Sequence, residues 1–293
     1  MTRLLNPLTQ NEFVLKDSFV AADRIREIPS NLFNDRYKLV SFDVTSLFTN
    51  VPLTRTINVI LKIIYNDKLI STSIKKNTMR KLLRDTCTKT DFMFNGNVYK
   101  QIDGVSMGAS LGPVLANVIM TELEKVCVQK LIDDGTIKFY ARYVDDTLMM
   151  VKPESIDKVH KEFEKFDQNL KFTVDKFENE VPRFLDIEIA PDGLSIYSKP
   201  TQTGQYIHYS SNTPWRFKTS WISALVHRAK QICSPNKLPK QLDQIRNYVA
   251  WNGFPKHIGN KIIKDTISRQ PRNACNLHKD DKTSIIYILI YRI

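Results

Sequence analysis

Ile137-Lys138-Phe139-Tyr140-Ala141-Arg142-Tyr143-Val144-Asp145-Asp146-Thr147-Leu148-Met149-Met150-Val151 runs apolar up to two adjacent carboxylates and apolar away from them. Aromatic and β-branched residues on both sides predict a β-hairpin with Asp145 and Asp146 at its tip. Two acids on one tight turn repel each other, and an Asp-rich turn relieves that repulsion by facing water. Asp133-Asp134-Gly135 and Asp280-Asp281 lie in polar, turn-like surroundings and read that way. A pair held inside an apolar hairpin has a second reading. A divalent cation inverts the local electrostatics, and hard Mg2+ takes oxygen ligands.

A third acid upstream favours the second reading. Leu39-Val40-Ser41-Phe42-Asp43-Val44-Thr45-Ser46-Leu47-Phe48 repeats the design, a short apolar strand ending in a carboxylate before a turn. Laid side by side, the two strands bring Asp43 to the hairpin tip. Such a cluster is able to hold two metal ions about 3.5–4 Å apart for in-line phosphoryl transfer.

A strand-borne Asp followed later by Tyr-x-Asp-Asp resembles motifs A and C of reverse transcriptases. The stretch Ser41-Phe42-Asp43-Val44-Thr45-Ser46-Leu47-Phe48-Thr49-Asn50-Val51-Pro52 resembles the Penelope-like element branch, eukaryotic retroelements whose polymerases are similar to telomerase. The resemblance runs from about residue 18 to residue 267. It implies an α+β chain: a right-hand polymerase palm, with a split βαβ sheet and a catalytic hairpin, followed by a basic helical thumb resembling a helix-turn-helix module. Residues 1–36 then read as residual fingers or connector, 37–198 as the palm and 199–293 as the thumb. The fingers motifs that precede motif A in the family have no counterpart here, so a copy truncated at its N-terminus is expected.

Between the two acid-bearing strands, Pro52 opens a predicted helix over residues 53–65, and a second is predicted over 75–84. Asn95-Gly96 marks a two-residue hairpin turn within 92–99. The segment Gln101-Ile102-Asp103-Gly104-Val105-Ser106-Met107-Gly108-Ala109-Ser110-Leu111-Gly112-Pro113 is a glycine-bearing loop feeding a helix expected over 113–131. Lacking Cβ, its glycines let backbone approach a ligand. By position the loop resembles motif B, which implies nucleotide contacts from Gln101, Gly104, Met107 and Gly108. It departs from the family, which usually has Gly-Ser-Pro where this chain has Gly108-Ala109-Ser110. An amphipathic helix over 155–166, a strand over 170–174 and a hairpin over 183–197 complete the palm. Lys171 and Lys176 lie where motif D stands, and the hairpin resembles the primer grip, motif E.

The chain of 293 residues is 42% hydrophobic and 25% charged, an ordinary globular composition. No apolar run approaches the ~18 residues of a membrane span, and the N-terminus lacks a signal-peptide layout. Cys87, Cys127, Cys233 and Cys275 are widely spaced and read as isolated thiols of an intracellular protein. The net charge of +12 is uneven: residues 1–198 carry 27 basic and 27 acidic side chains, whereas residues 199–293 carry 16 and 4. Such asymmetry is the footprint of a phosphate-binding region beside a carboxylate-bearing one, although a basic solvated surface has the same composition. Three helical segments punctuated by Pro214, Pro235, Pro239 and Pro255 fill residues 213–267. Among their basic residues, Lys218, Arg228, Lys230, Lys256, Lys261 and Lys264 are the expected nucleic-acid contacts.

The implied activity is RNA-templated DNA synthesis, a nuclear reaction taking an RNA template, a DNA primer and deoxynucleoside triphosphates. Asp43, Asp145 and Asp146 are the implied catalytic acids holding two Mg2+, joined by the backbone carbonyl of Val44. Phe48, five residues after Asp43, stands where an aromatic side chain excludes the ribose 2′-hydroxyl, and its alternative role is core packing. The competing reading from another class is a catalytically inactive retroelement remnant that only binds nucleic acid. The chain stops soon after Ile285-Ile286-Tyr287-Ile288-Leu289-Ile290 with no Gly-Ile-Tyr endonuclease domain, so no DNA nicking is expected.

Overall fold

The computed structural model describes residues 1–29, 32–33, 36–88, 91–102, 104–106, 108–177 and 180–269. Met107, Asp103, Cys275 and the apolar C-terminal run 285–290 lie outside the described residues. The chain divides into two units. The first holds Met1–Thr203 with Arg228–Asp243, and the second Gly204–His227 with the chain from Gln244 onward.

In the first unit, α1 (Thr2–Leu5) and α2 (Ser18–Arg26) precede β1 (Lys38–Val44). The Asp17 carboxylate caps α2 by accepting from the Phe19 and Val20 amides, which satisfies two otherwise orphaned donors. A single turn, α3 (Leu47–Asn50), separates β1 from α4 (Leu53–Tyr65), and α5 (Lys76–Thr88) leads to the hairpin β2 (Asp91–Phe94) and β3 (Asn97–Lys100). Asn95 and Gly96 both take positive φ there, as a type I′ turn requires. Next come α6 (Gly112–Leu123), a π-helical turn (Glu124–Val128) and α7 (Gln129–Asp133), one continuous helical run where the sequence predicts a single helix. The strands β4 (Ile137–Tyr143) and β5 (Asp146–Val151) form the central hairpin, followed by α8 (Ile156–Phe166) and β6 (Phe172–Asp175).

The main sheet has the order β4-β5-β1-β6, so the strand carrying Asp43 lies beside the strand carrying Asp146. One face packs Val40, Phe42, Val44, Met149 and Val151 against Ile57 and Ile60 of α4, Leu115 and Ile119 of α6, and Val159 and Phe163 of α8. The other packs Leu39, Leu148 and Met150 against Ala21, Ala22 and Ile25 of α2 and against a smaller sheet. With both faces covered, β5 needs apolar residues without alternation, and Leu148-Met149-Met150-Val151 supplies them.

The smaller sheet is β7 (Arg183–Phe184), β8 (Ile187–Ala190) and β9 (Gly193–Ile196) in sequential order. The sequence reads 183–197 as one hairpin. A tight turn divides its first arm, because Leu185 and Asp186 both take positive φ.

Three long helices follow: α9 (Trp215–Ile232), α10 (Leu238–Trp251) and α11 (Lys256–Ser268). The unit boundaries fall inside α9 and α10, so Arg228 and Lys230 belong to the first unit. The second unit is an aromatic cluster in which Tyr206 stacks on Trp221 with centroids 4.4 Å apart, edged by Phe254 and Tyr248. Buried Asn252 stitches it together, accepting from the Tyr206 amide and donating to the Gly204 and Tyr248 carbonyls, each at 2.8 Å. Among the described residues no helix is long and apolar enough to cross a membrane.

Candidate active site

Antiparallel pairing sets Asp43 directly opposite Asp146, and residues so paired project from the same face. The register is held by a side chain as well. The buried Thr147 hydroxyl donates to the Phe42 carbonyl at 2.7 Å and accepts from the Phe42 amide at 3.2 Å. The sequence pattern places both acids of the pair at the hairpin tip. Instead Val144 and Asp145 make the two-residue turn, and Asp146 is the first residue of β5. Strand pairing with β1 extends the ladder one residue further than the apolar pattern suggests, which draws Asp146 back into register with Asp43.

Asp43 and Asp146 both feel the acids around them. Burial pushes Asp146 up to about 6, and repulsion from Asp43 and Asp145 adds to it against a hydrogen bond from the Ser41 side chain. Asp43 is raised by burial and by Asp145, with the Val44 amide partly offsetting the shift by hydrogen bonding. Among the described residues no three His, Cys, Asp or Glu side chains stand close enough together to enclose a metal ion as they are. The donor set nonetheless suits hard divalent cations. It consists of carboxylate oxygens that repel each other, and a cation relieves that repulsion while drawing them together. Val44, also expected among the ligands, is buried and ends β1.

The glycine-bearing loop packs against α3. The Val105 amide donates to the Phe48 carbonyl at 2.7 Å, and Gly104, at φ +68°, lies so close that a Cβ there would stand 2.2 Å from the Thr49 carbonyl oxygen. Gly104 therefore serves intramolecular docking. Gly108, at φ +94°, has open space where its Cβ would be, leaving its backbone accessible. Gln101 is half-buried beyond β3, and Met107 lies outside the described residues. Phe48 is half-buried against the core, with its ring beside Gly112. It thus lies between the acid strand and the glycine loop, a position compatible with both of its expected roles.

The expected phosphate contacts divide by what they touch. Lys256, Lys261 and Lys264 are exposed on α11, with Lys261 and Lys264 one turn apart on a common face. Lys230 is exposed on α9. Lys218 is half-buried and donates to the Tyr209 carbonyl at 2.7 Å. Arg228 is half-buried, 3.6 Å from the Asp186 carboxylate and donating to the Leu185 carbonyl, so it braces the turn between β7 and β8. Of the two motif D lysines, Lys176 pairs at 4.0 Å with Asp157.

Sequence reasoning passed over Arg142 and Glu124. They form a fully buried ion pair behind the acid-bearing turn, with Nε to Oε1 at 2.5 Å. The available signal was Arg142 inside the apolar run 139–144, since a buried charge requires a partner, whereas Glu124, close to Glu122 and Lys125, reads as part of a solvated helix face.

A family model described as reverse transcriptase (RNA-dependent DNA polymerase) matches residues 3–179, and one described as animal helix-turn-helix domain matches residues 205–264. Among solved structures, telomerase from Candida albicans in complex with a TWJ fragment of telomeric RNA superposes with a TM-score of 0.64 at 12% identity, covering 90% of this chain and 51% of that one. Telomerase from Candida tropicalis gives 0.53 at 13% identity in complex with such a fragment, covering 91% of this chain and 49% of that one. Its apo form gives 0.51 at 14%, covering 90% and 52%. At these identities the likeness is one of fold, and the chain spans about half the length of those telomerase chains. In the comparison with curated proteins nothing matches.

Proposed function

Because the chain belongs to the reverse transcriptase family, we propose that it is an RNA-directed DNA polymerase of the Penelope-like kind, extending a DNA primer on an RNA template in the nucleus. The observation that carries this reading is the register of Asp43 against Asp146 with Asp145 on the adjoining turn, three mutually repelling carboxylates at one end of a sheet. Asp43, Asp145 and Asp146, with the Val44 carbonyl, would hold two Mg2+. Bound there, the ions supply activation of the primer 3′-hydroxyl and charge neutralisation at the departing pyrophosphate. The chain's own part is positional. The β1–β5 ladder sets the spacing of the acids, and the loop at Gly108 offers accessible backbone to an incoming deoxynucleoside triphosphate. The exposed lysines of α11 would bind duplex phosphates.

Primer extension tests the reading directly. The full chain, given an RNA template, a DNA primer, deoxynucleotides and Mg2+, is expected to make DNA. Duplex binding with no extension in either Mg2+ or Mn2+ would instead mark it as a remnant that only binds nucleic acid.

Two further results are expected. Replacing Lys256, Lys261 and Lys264 by Gln should weaken duplex binding for all sequences alike, and should flatten the salt dependence by about one slope unit for each phosphate no longer neutralised. Arg228→Gln should lower thermal stability instead, because it unties Asp186. An unchanged salt slope in the triple variant would remove α11 from the interface. Phe48→Ala should raise ribonucleotide over deoxynucleotide incorporation by roughly tenfold, the scale on which a filled pocket discriminates. An unchanged ratio of kcat/KM values would assign Phe48 to packing alone.

A further inference from the structure

Arg142 heads the largest side chains with no solvent exposure. Every nitrogen of its guanidinium donates a hydrogen bond. Nε and Nη2 donate to Glu124 at 2.5 and 3.2 Å, and Nη1 donates to the Asn117 side-chain oxygen at 2.8 Å and to the Val144 carbonyl at 2.9 Å. Glu124 also accepts from the Asn11 side chain at 2.5 Å. The Arg142 backbone is bonded to Phe13 and Leu15, so the N-terminal segment lies along β4. Glu124 opens the π-helical turn, and such insertions in α-helices recur at functional sites.

A buried ion pair is poor evidence of a stability role, because apolar residues of similar volume commonly serve as well. They cannot, however, hold a backbone carbonyl. Val144 takes φ +58°, a conformation that a β-branched residue adopts only when its surroundings impose it. We propose that Arg142, Glu124 and Asn117 are positioning residues that clamp the Val144 carbonyl and thereby set Asp145 and Asp146 against Asp43. Asn117 belongs to α6, which the glycine-bearing loop feeds, so the clamp ties the turn to the helix behind that loop. The catalytic consequence of the clamp rests on the polymerase reading.

The test separates bracing the fold from holding the turn. Arg142→Met combined with Glu124→Leu replaces the pair by apolar volume. Melting temperature, amide exchange over residues 143–147 and Mn2+ binding to the chain without nucleic acid are then measured. The expected result is melting close to the parent, with turn amides exchanging and half-saturating Mn2+ rising by about tenfold or more, the scale of one strained residue set free. Adding Val144→Gly should recover Mn2+ binding to within about threefold, because glycine reaches positive φ unaided. Arg142→Lys keeps a cation beside Glu124 but gives up the planar fork. It should show the same local loss, and it decides the matter if the double replacement does not fold. Parent-like exchange and Mn2+ binding in these variants, or no recovery with Val144→Gly, would overturn the clamp. A parent chain that extends no primer defeats the polymerase reading alone, since the exchange measurement still reports on the turn.

Discussion

Asp146→Asn is expected to abolish Mg2+-dependent primer extension, by at least about a thousandfold or ~4 kcal/mol of transition-state stabilisation, while making the metal-free chain more stable at neutral pH. The loss follows from removing a charged oxygen from the set proposed to hold the ions. The gain follows from linkage. The Asp146 carboxyl is raised to about 6 by burial first and then by Asp43 and Asp145, so between about pH 4 and 6 the folded chain holds a proton that the unfolded chain has released. Folding is therefore favoured at acid pH and loses stability as pH rises through about 6. Asn carries no charge to be buried, so the variant should gain about 1–2 kcal/mol at pH 7.5 once solvent screening is allowed for, and its stability should vary less with pH. Thermal melts in EDTA across pH 4.5–8, alongside extension assays, check both halves. A variant that melts lower at every pH and still extends primers would refute the assignment of Asp146.

Gly104→Ala should have the second largest effect, through two costs acting together. Its φ of +68° is unfavourable to any Cβ, and the added carbon would stand 2.2 Å from the Thr49 carbonyl oxygen. Thr49 has little room to yield, because its amide bonds the Ser46 carbonyl and the neighbouring Phe48 carbonyl accepts from Val105. The loop must lift from α3, at a cost of about 2–4 kcal/mol in stability. A roughly hundredfold fall in deoxynucleotide kcat/KM is expected with it, the scale reached when positioning is lost by about an ångström. Gly108→Ala makes the comparison sharp, since nothing lies within 4 Å of its Cβ position and only the conformational cost of about 1 kcal/mol applies. Urea unfolding and single-nucleotide kinetics distinguish them, and equal effects at the two glycines would mean that docking on α3 is not what Gly104 serves.

Local chemistry made much of the architecture legible. Pro52 and the apolar stripe after it mark α4 at the bounds the structure has, Leu53–Tyr65. Asn95-Gly96 marks the β2–β3 turn, and the two acid-bearing apolar runs mark β1 and the β4–β5 hairpin. These signals are short-range, because turn residues, helix starts and the periods of helix and strand are set by neighbours a few positions apart. The turn at Leu185-Asp186 escaped the same reading, since it takes positive φ at both positions without glycine or asparagine and is braced from afar by Arg228.

The residue types of the candidate site, three acids, an aromatic and a glycine loop, were set down by the sequence, as were the strands and loop that carry them. Which acids face each other was decided by the ladder between β1 and β5, which took Asp146 off the tip and set it opposite Asp43. Tertiary structure likewise brought Arg228 beside the Asp186 carboxylate and Lys218 to the Tyr209 carbonyl, whereas Lys256, Lys261 and Lys264 stay exposed. It also brought Arg142 beside Glu124 and Asn117 behind the turn. The physical reason is range: propensity and periodicity act within a turn or two of chain, but a charge finds its partner, and a carboxylate its neighbour, only after distant segments pack and exclude water between them.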